Sequence, residues 1–151
     1  MIQQNFDSPD VLDALAKGDL GRARELSGSV FVISATVVHG NHLGRTLGFP
    51  TANLDLSDNH PFLLAHGVYA VTAVVNSVVY KGMANAGIRP TISGKALSVE
   101  VNLFDFSGDL YGTTLVVSFL ERIRDEVKFE TLDLLVQQIH HDKQTALKLL
   151  A

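Results

Sequence analysis

The chain contains no cysteine, which excludes disulfide bridges, zinc–thiolate centres and thiol nucleophiles. It has no basic stripe either. Twelve lysines and arginines against 16 aspartates and glutamates give a net charge of −4, so the electrostatic footprint of a nucleic-acid binder is missing. No apolar run approaches the roughly 20 residues that a membrane span needs. The opening MIQQNFDSPD lacks a basic region followed by an apolar one, so no secretory signal is read there. Internal repeats and low-complexity tracts are also absent. The expectation is a cytoplasmic domain with neither nucleic acid nor membrane as partner. What is present fits one globular unit: 151 residues, 46% hydrophobic and 19% charged, enough chain to bury a core.

Two short helices are expected over residues 8–28. Ser8 is placed to cap the first, with Pro9 in its first turn and Gly18 as its stop; Asp19 can cap a second that ends near Gly28. From Val30 the hydrophobic period changes to two and β-branched residues dominate. Residues 68–75 and 78–84 flank Asn76-Ser77, which is read as a two-residue hairpin turn. Leu97, Val99, Val101 and Leu103 alternate with more polar neighbours, as do Leu115, Val117 and Phe119 after Gly112. No helical period appears between residues 30 and 124, so the crossover helices of a parallel sheet are missing. Five or six strands of about eight residues then predict a closed or nearly closed antiparallel barrel. A helical stripe returns only at Leu132, Leu135, Val136 and Ile139, and residues 143–151 continue it.

One stretch stands apart, GNHLGRTLGFPTANL from Gly40 to Leu54. Its glycines permit positive φ and close backbone approach to a ligand. Pro50 fixes φ and biases Phe49 towards extended geometry, so the loop should end there. In an extended Thr51-Ala52-Asn53, the hydroxyl and amide share one face about 7 Å apart at Cα and could grip one hard cation. Gly40-x-x-x-Gly44-Arg45-Thr46 superficially resembles a P-loop, but it lacks the lysine and opens no helix. Glu100 lies on the polar face of its strand beside Ser98 and Asn102. It is either a solvated surface carboxylate or a base for a substrate hydroxyl. The histidines make a poor metal set: His140 and His141 point about 100° apart on a helix, and His39 reads as a strand-end residue. The segments from Asn85 to Thr91, Asp105 to Gly112 and Arg122 to Phe129 read as turns and charged strand ends.

Taken in order, these segments carry a resemblance. GRTLGFPTANL, Gly67-Val68-Tyr69-Ala70, NAGIRPT, VEVNLFDFSGDLYG and RIRDEVKF, followed by an amphipathic helix, resemble bacterial riboflavin kinases across residues 30–142. The match includes the kinase half of bifunctional FAD synthetases. The resemblance implies a mainly β fold, a six-stranded antiparallel, Greek-key type barrel over about 30–124. A helical arm over 1–28 resembles the interdomain linker, and a C-terminal helical region covers about 130–150 within a kinase domain of 29–151. It implies transfer of the γ-phosphoryl of ATP to the ribityl 5′-hydroxyl of riboflavin, giving FMN. Glu100 would be the base, with Thr51 and Asn53 holding Mg²⁺ and phosphates. Gly40, Gly44, Arg45 and Gly48 would cover the nucleotide; Leu103, Asp105 and Tyr111 would line its adenosine side. Arg124, Val127, Phe129 and Leu134 would close on the flavin ring. Departures exist: Asn85-Ala86-Gly87 stands where the family has Asn-Ile-Gly, and residues 57–66 lack the usual Leu-Pro. Asp7 to Leu12 replaces the Ser-Ser-Thr-x-Ile-Arg that opens the linker. No adenylyltransferase domain is read, so one would be supplied elsewhere. The competing reading is a barrel that binds flavin or nucleotide without catalysis.

Overall fold

A computed structural model describes residues 8–39, 48, 50–56, 64–91 and 94–151. Six antiparallel strands close into a barrel in the order β1-β2-β5-β4-β3-β6. They are β1 (Phe31–Val38), β2 (Ala52–Leu54), β3 (Gly67–Val75), β4 (Val78–Thr91), β5 (Gly94–Leu103) and β6 (Thr114–Arg124). Helices α1 (Pro9–Ala16) and α2 (Leu20–Ser27) precede the barrel, and α3 (Leu132–Leu149) follows it.

Local chemistry accounts for the boundaries. The Asp19 side chain accepts from Arg22 N–H at 3.0 Å, and Gly28 ends α2 in the left-handed conformation. Ser8 occupies the N-cap position of α1, but its side chain makes no capping hydrogen bond there. Asn76 and Ser77 both take positive φ, 48° and 68°, as a type I′ hairpin turn requires. The β3–β4 ladder then runs unbroken from Val75–Val78 to Gly67–Ala86. β4 extends further than its sequence suggests. Asn85 to Thr91, expected as a turn, continues the strand and pairs with β5 down to Gly94.

Strand alternation sorts the side chains into two cores. Inside the barrel lie Ile33, Val71, Val99, Leu115 and Phe119, among others. Val11, Ala14, Leu15, Leu20 and Ala23 from the two N-terminal helices join this same cluster. Outside, Val68, Ala70, Met83 and Phe104 pack against Ala146 of α3, with Val136, Ile139, Leu147 and Leu150 around them. Fully burying a valine or methionine side chain is worth about 1.5–3 kcal/mol, so this second cluster suffices to dock α3. Leu132, the first residue of the expected helical stripe, is exposed instead, because the first turn of α3 projects past the outer cluster.

Two register shifts in β6 change its facing. Tyr69 pairs with Arg122 but Val68 with Arg124, skipping Ile123; a bulge of this kind re-aims the residues around it. Arg122 lies against the N-terminal arm, where a Cβ on Gly18 would come within 2.5 Å of its Cδ. Its Nη2 donates to the His66 carbonyl. Arg124 instead reaches α3. Gly67, where β3 leaves Val68 opposite Arg124, has φ +151°, and a Cβ there would stand 2.3 Å from the Arg124 carbonyl oxygen. Backbone cannot yield as a side chain does. Gly67→Ala is therefore expected to cost on the order of 2–5 kcal/mol, read as a fall in Tm of several degrees in a thermal melt.

Candidate active site

β2 is short because Pro50 brings no N–H to a ladder and Gly48, with φ +87°, turns the chain away. Its three residues nevertheless decide the site. Ala52 and Leu54 are buried in the barrel, so Asn53 faces out and pairs directly with Glu100 of β5. Opposed residues of an antiparallel pair point to one face with Cβ atoms about 4.5–5.5 Å apart. Glu100 has a second such neighbour in Asn85 of β4. The row continues through Val68 of β3 to Arg124 of β6. A carboxylate thus sits between two carboxamides on the outer wall.

Half-burial strips water from Glu100 and raises its pKa above the usual glutamate value of 4.5, with desolvation as the cause. A carboxylate held that way is a stronger base than one in open water.

Beside this row opens a cavity of about 400 Å³. Thr51, just ahead of β2, and Asn53 within it line the cavity, with Leu103 from β5 and Leu110 and Tyr111 from the loop between β5 and β6. That loop is fastened to β1: Gly112 N–H donates to Val37 O at 2.9 Å, and Val37 N–H to Thr113 O at 2.8 Å. Within it the Asp109 carboxylate accepts from Tyr111 N–H at 2.9 Å. The ring of Tyr111 stacks on His39 with centroids 3.7 Å apart and planes 19° from parallel. The cavity mouth is therefore aromatic on one side and lined by a hydroxyl and an amide on the other.

The residues expected from the sequence divide as follows. Thr51, Asn53, Leu103 and Tyr111 meet at the cavity, and Glu100 adjoins it through its pairing with Asn53. Asp105 has positive φ and is exposed, outside the cavity lining. Gly48 turns the loop ahead of Pro50; Gly40, Gly44 and Arg45 lie outside the described residues. At the other end of the row, Val127 and Leu134 are exposed apolar side chains. Arg124 and Phe129 adjoin them, the guanidinium 5.7 Å from the ring centroid. The Arg124 guanidinium is committed to Asp142 of α3, with Nε and Nη2 donating to its carboxylate at 2.8–3.0 Å. Gln138 donates to the same carboxylate at 2.9 Å. Arg124 thus orders Phe129 and α3 and has little left to offer a ligand directly.

Sequence reading missed Asn85 and Asp142. The first was hidden in a segment taken for a turn, although Met83, Asn85 and Gly87 keep strand alternation. The second carried no signal, since a helical aspartate next to two histidines reads as surface.

The sequence model of the riboflavin kinase family matches residues 27–150. The chain belongs to the riboflavin kinase family. It is 41% identical over 148 residues to the bifunctional riboflavin kinase/FMN adenylyltransferase of Bacillus subtilis, covering 96% of this chain and 46% of that protein. The Haemophilus influenzae enzyme of the same name is 45% identical over 145 residues, covering 95% and 46%. The chain thus spans about half the length of these curated relatives. Among solved structures, a Streptococcus pneumoniae protein described as a macrolide-efflux protein superposes with a TM-score of 0.85 at 40% identity, covering 93% of this chain and 46% of that one. Riboflavin kinase from Trypanosoma brucei superposes with a TM-score of 0.57 at 26% identity, covering 79% and 78%. In this riboflavin kinase-family barrel the Asn53–Glu100 pair stands on the outer wall, where α3 also packs.

The raised Glu100 pKa has a stability consequence. The folded state holds its proton more tightly than the unfolded chain, so stability falls as pH rises from about 4.5 through the raised value. Above that window the ionised carboxylate carries the full cost. Glu100→Gln is expected to melt higher than the parent at pH 7 and level with it below pH 4.5, checked by thermal melts across that range.

Proposed function

We propose that this chain transfers the γ-phosphoryl group of ATP to the 5′-hydroxyl of riboflavin, producing FMN and ADP. The observation that carries the reading is the placement of Glu100 opposite Asn53 at the edge of a cavity lined by Thr51, in a chain of the riboflavin kinase family. Phosphoryl transfer demands alignment and charge neutralisation more than covalent help, and this wall supplies an oxygen-lined cavity and a partly desolvated base.

In this reading the triphosphate lies in the cavity, with the adenosine side towards Leu103 and Tyr111. Glu100 accepts the proton of the attacking alcohol as the O–P bond forms, while Asn53 and Asn85 keep that alcohol oriented. The flavin ring rests on the apolar surface of Val127, Phe129 and Leu134, which Arg124 holds in place. Arg124 stands three strands from Glu100 along the row, roughly 14 Å at ordinary strand spacing. That span suits a molecule with an alcohol at one end and a ring system at the other.

The oxygen donors of Thr51 and Asn53 fit a hard divalent cation such as Mg²⁺, which when bound neutralises charge on the phosphate oxygens. Both donors are neutral, and among the described residues no group of three or more His, Cys, Asp or Glu gathers as a metal cage. The cation therefore enters with the nucleotide. We assign these residues the kinase step, with FMN passing to an adenylyltransferase domain or protein. Among the described residues no helix is long and apolar enough to cross a membrane, and a consumer of ATP is placed in the cytoplasm.

Incubation with riboflavin, ATP and Mg²⁺ is expected to yield FMN on chromatography. Glu100→Gln should lower kcat by about 10²–10⁴, with Asn53→Ala crippling turnover in a folded protein. Riboflavin quenching without FMN in the parent would replace the kinase with a flavin-binding barrel. Calorimetry is expected to show Mg²⁺ uptake only when nucleotide is present; tight binding of Mg²⁺ alone would overturn the neutral two-donor site.

A further inference from the structure

β2 meets β5 through two residue pairs, Ala52 with Val101 and Asn53 with Glu100. One step further, the same register sets Thr51 opposite Asn102. Main-chain bonding fades here, because the preceding residue is a proline with no N–H. A side chain takes over. Asn102 Nδ2 donates to the Pro50 carbonyl at 2.7 Å, across 52 residues of sequence. Asn102 is only 7% exposed, and it and Asp142 are the two buried polar side chains among the described residues. Its own backbone is pressed against β4, where a Cβ on Gly82 would come within 2.5 Å of the Asn102 carbonyl oxygen. The donor is therefore mounted on a rigid and closely packed part of the wall.

We propose that Asn102 is a positioning residue for the nucleotide side of the site. Its side-chain amide supplies the donor to the Pro50 carbonyl where the β2–β5 ladder has ended, and so fixes the orientation of the Thr51 and Asn53 side chains towards the cavity. The inference rests on the reading of those two residues as facing the phosphates. Without the tether, Pro50 and Thr51 are held to β5 only through the two pairs that follow them, and the Thr51 and Asn53 oxygen donors lose their common geometry. Displacing a positioned group by about 1 Å costs on the order of 100-fold in rate.

Two variants test this. Asn102→Asp keeps the shape, but its ionised carboxylate cannot donate to a carbonyl; Asn102→Ala removes the donor without adding charge beside Glu100. At a temperature well below both melts, each is expected to lower kcat/KM for MgATP by roughly 10–100-fold. Riboflavin affinity from fluorescence quenching should stay within about two-fold of the parent, the split that generalised damage does not produce. In parallel, amide exchange at Asn53 and Leu54 should quicken while the β3–β4 hairpin is unchanged, a readout independent of turnover. Kinetics within two-fold of the parent in both variants, or an equal loss of riboflavin affinity, would overturn the assignment. Unaltered exchange in β2 would overturn the tether even in a protein that forms no FMN, an outcome that separately defeats the proposed reaction.

Discussion

Register in the β2–β5 pair is the constraint on which the site depends. Side chains alternate with a period of two, so a slip of one residue would turn Asn53 into the barrel and bring Ala52 to the wall. Only two residue pairs join these strands. The slip is opposed by hydrophobic burial: Ala52 and Leu54 fill the barrel interior beside Val99 and Val101, and a buried carboxamide among them would cost about 1–3 kcal/mol unless bonded. The apolar residues between the candidate site residues are what orient them.

The same wall balances stability against chemistry. Glu100 is held where its charge is poorly hydrated, an arrangement that favours proton transfer and disfavours folding in the ionised state. Elsewhere charge is handled conservatively. Arg124 and Asp142, with side chains 20% and 2% exposed, satisfy each other, and Gln138 completes the carboxylate. Such a pair holds β6 and α3 in one arrangement more than it adds net stability, because desolvation offsets much of its attraction. The desolvated carboxylate and the rigid ion pair lie three strands apart on a single lateral row.

Much of this was legible before any coordinates. Alternation at Leu97, Val99, Val101 and Leu103 identified a strand with Glu100 on its polar face, and the lack of helical period over 30–124 pointed to antiparallel closure. Capping residues located the first two helices to within a residue. Other features were not readable, for specific reasons. The extension of β4 through Asn85 to Thr91 is hidden by Gly87 and Pro90, which read as turn formers and are here tolerated within pairing to β5. The role of Asp142 depends on a partner 18 residues away across a bulged strand end. The pairing of Asn53 with Glu100 needed a register, and hydrophobic pattern alone does not choose between strands 47 residues apart in number when one of them is three residues long.

The arm formed by α1 and α2 has a further consequence. Leu15 is fully buried within the barrel's own cluster, and Val11 and Ala23 nearly so, while Leu15 O accepts from Ala65 N–H at 3.0 Å. Cutting the polypeptide after Gly28 would leave a hole in the interior, with Arg122 stripped of the surface that covers it. A recombination event that moved this unit into a new protein context could break the chain safely only ahead of Val11. The segment that looks like a connector is thus inherited with the barrel, and any neighbour joined to it is attached through a piece of the barrel's own core.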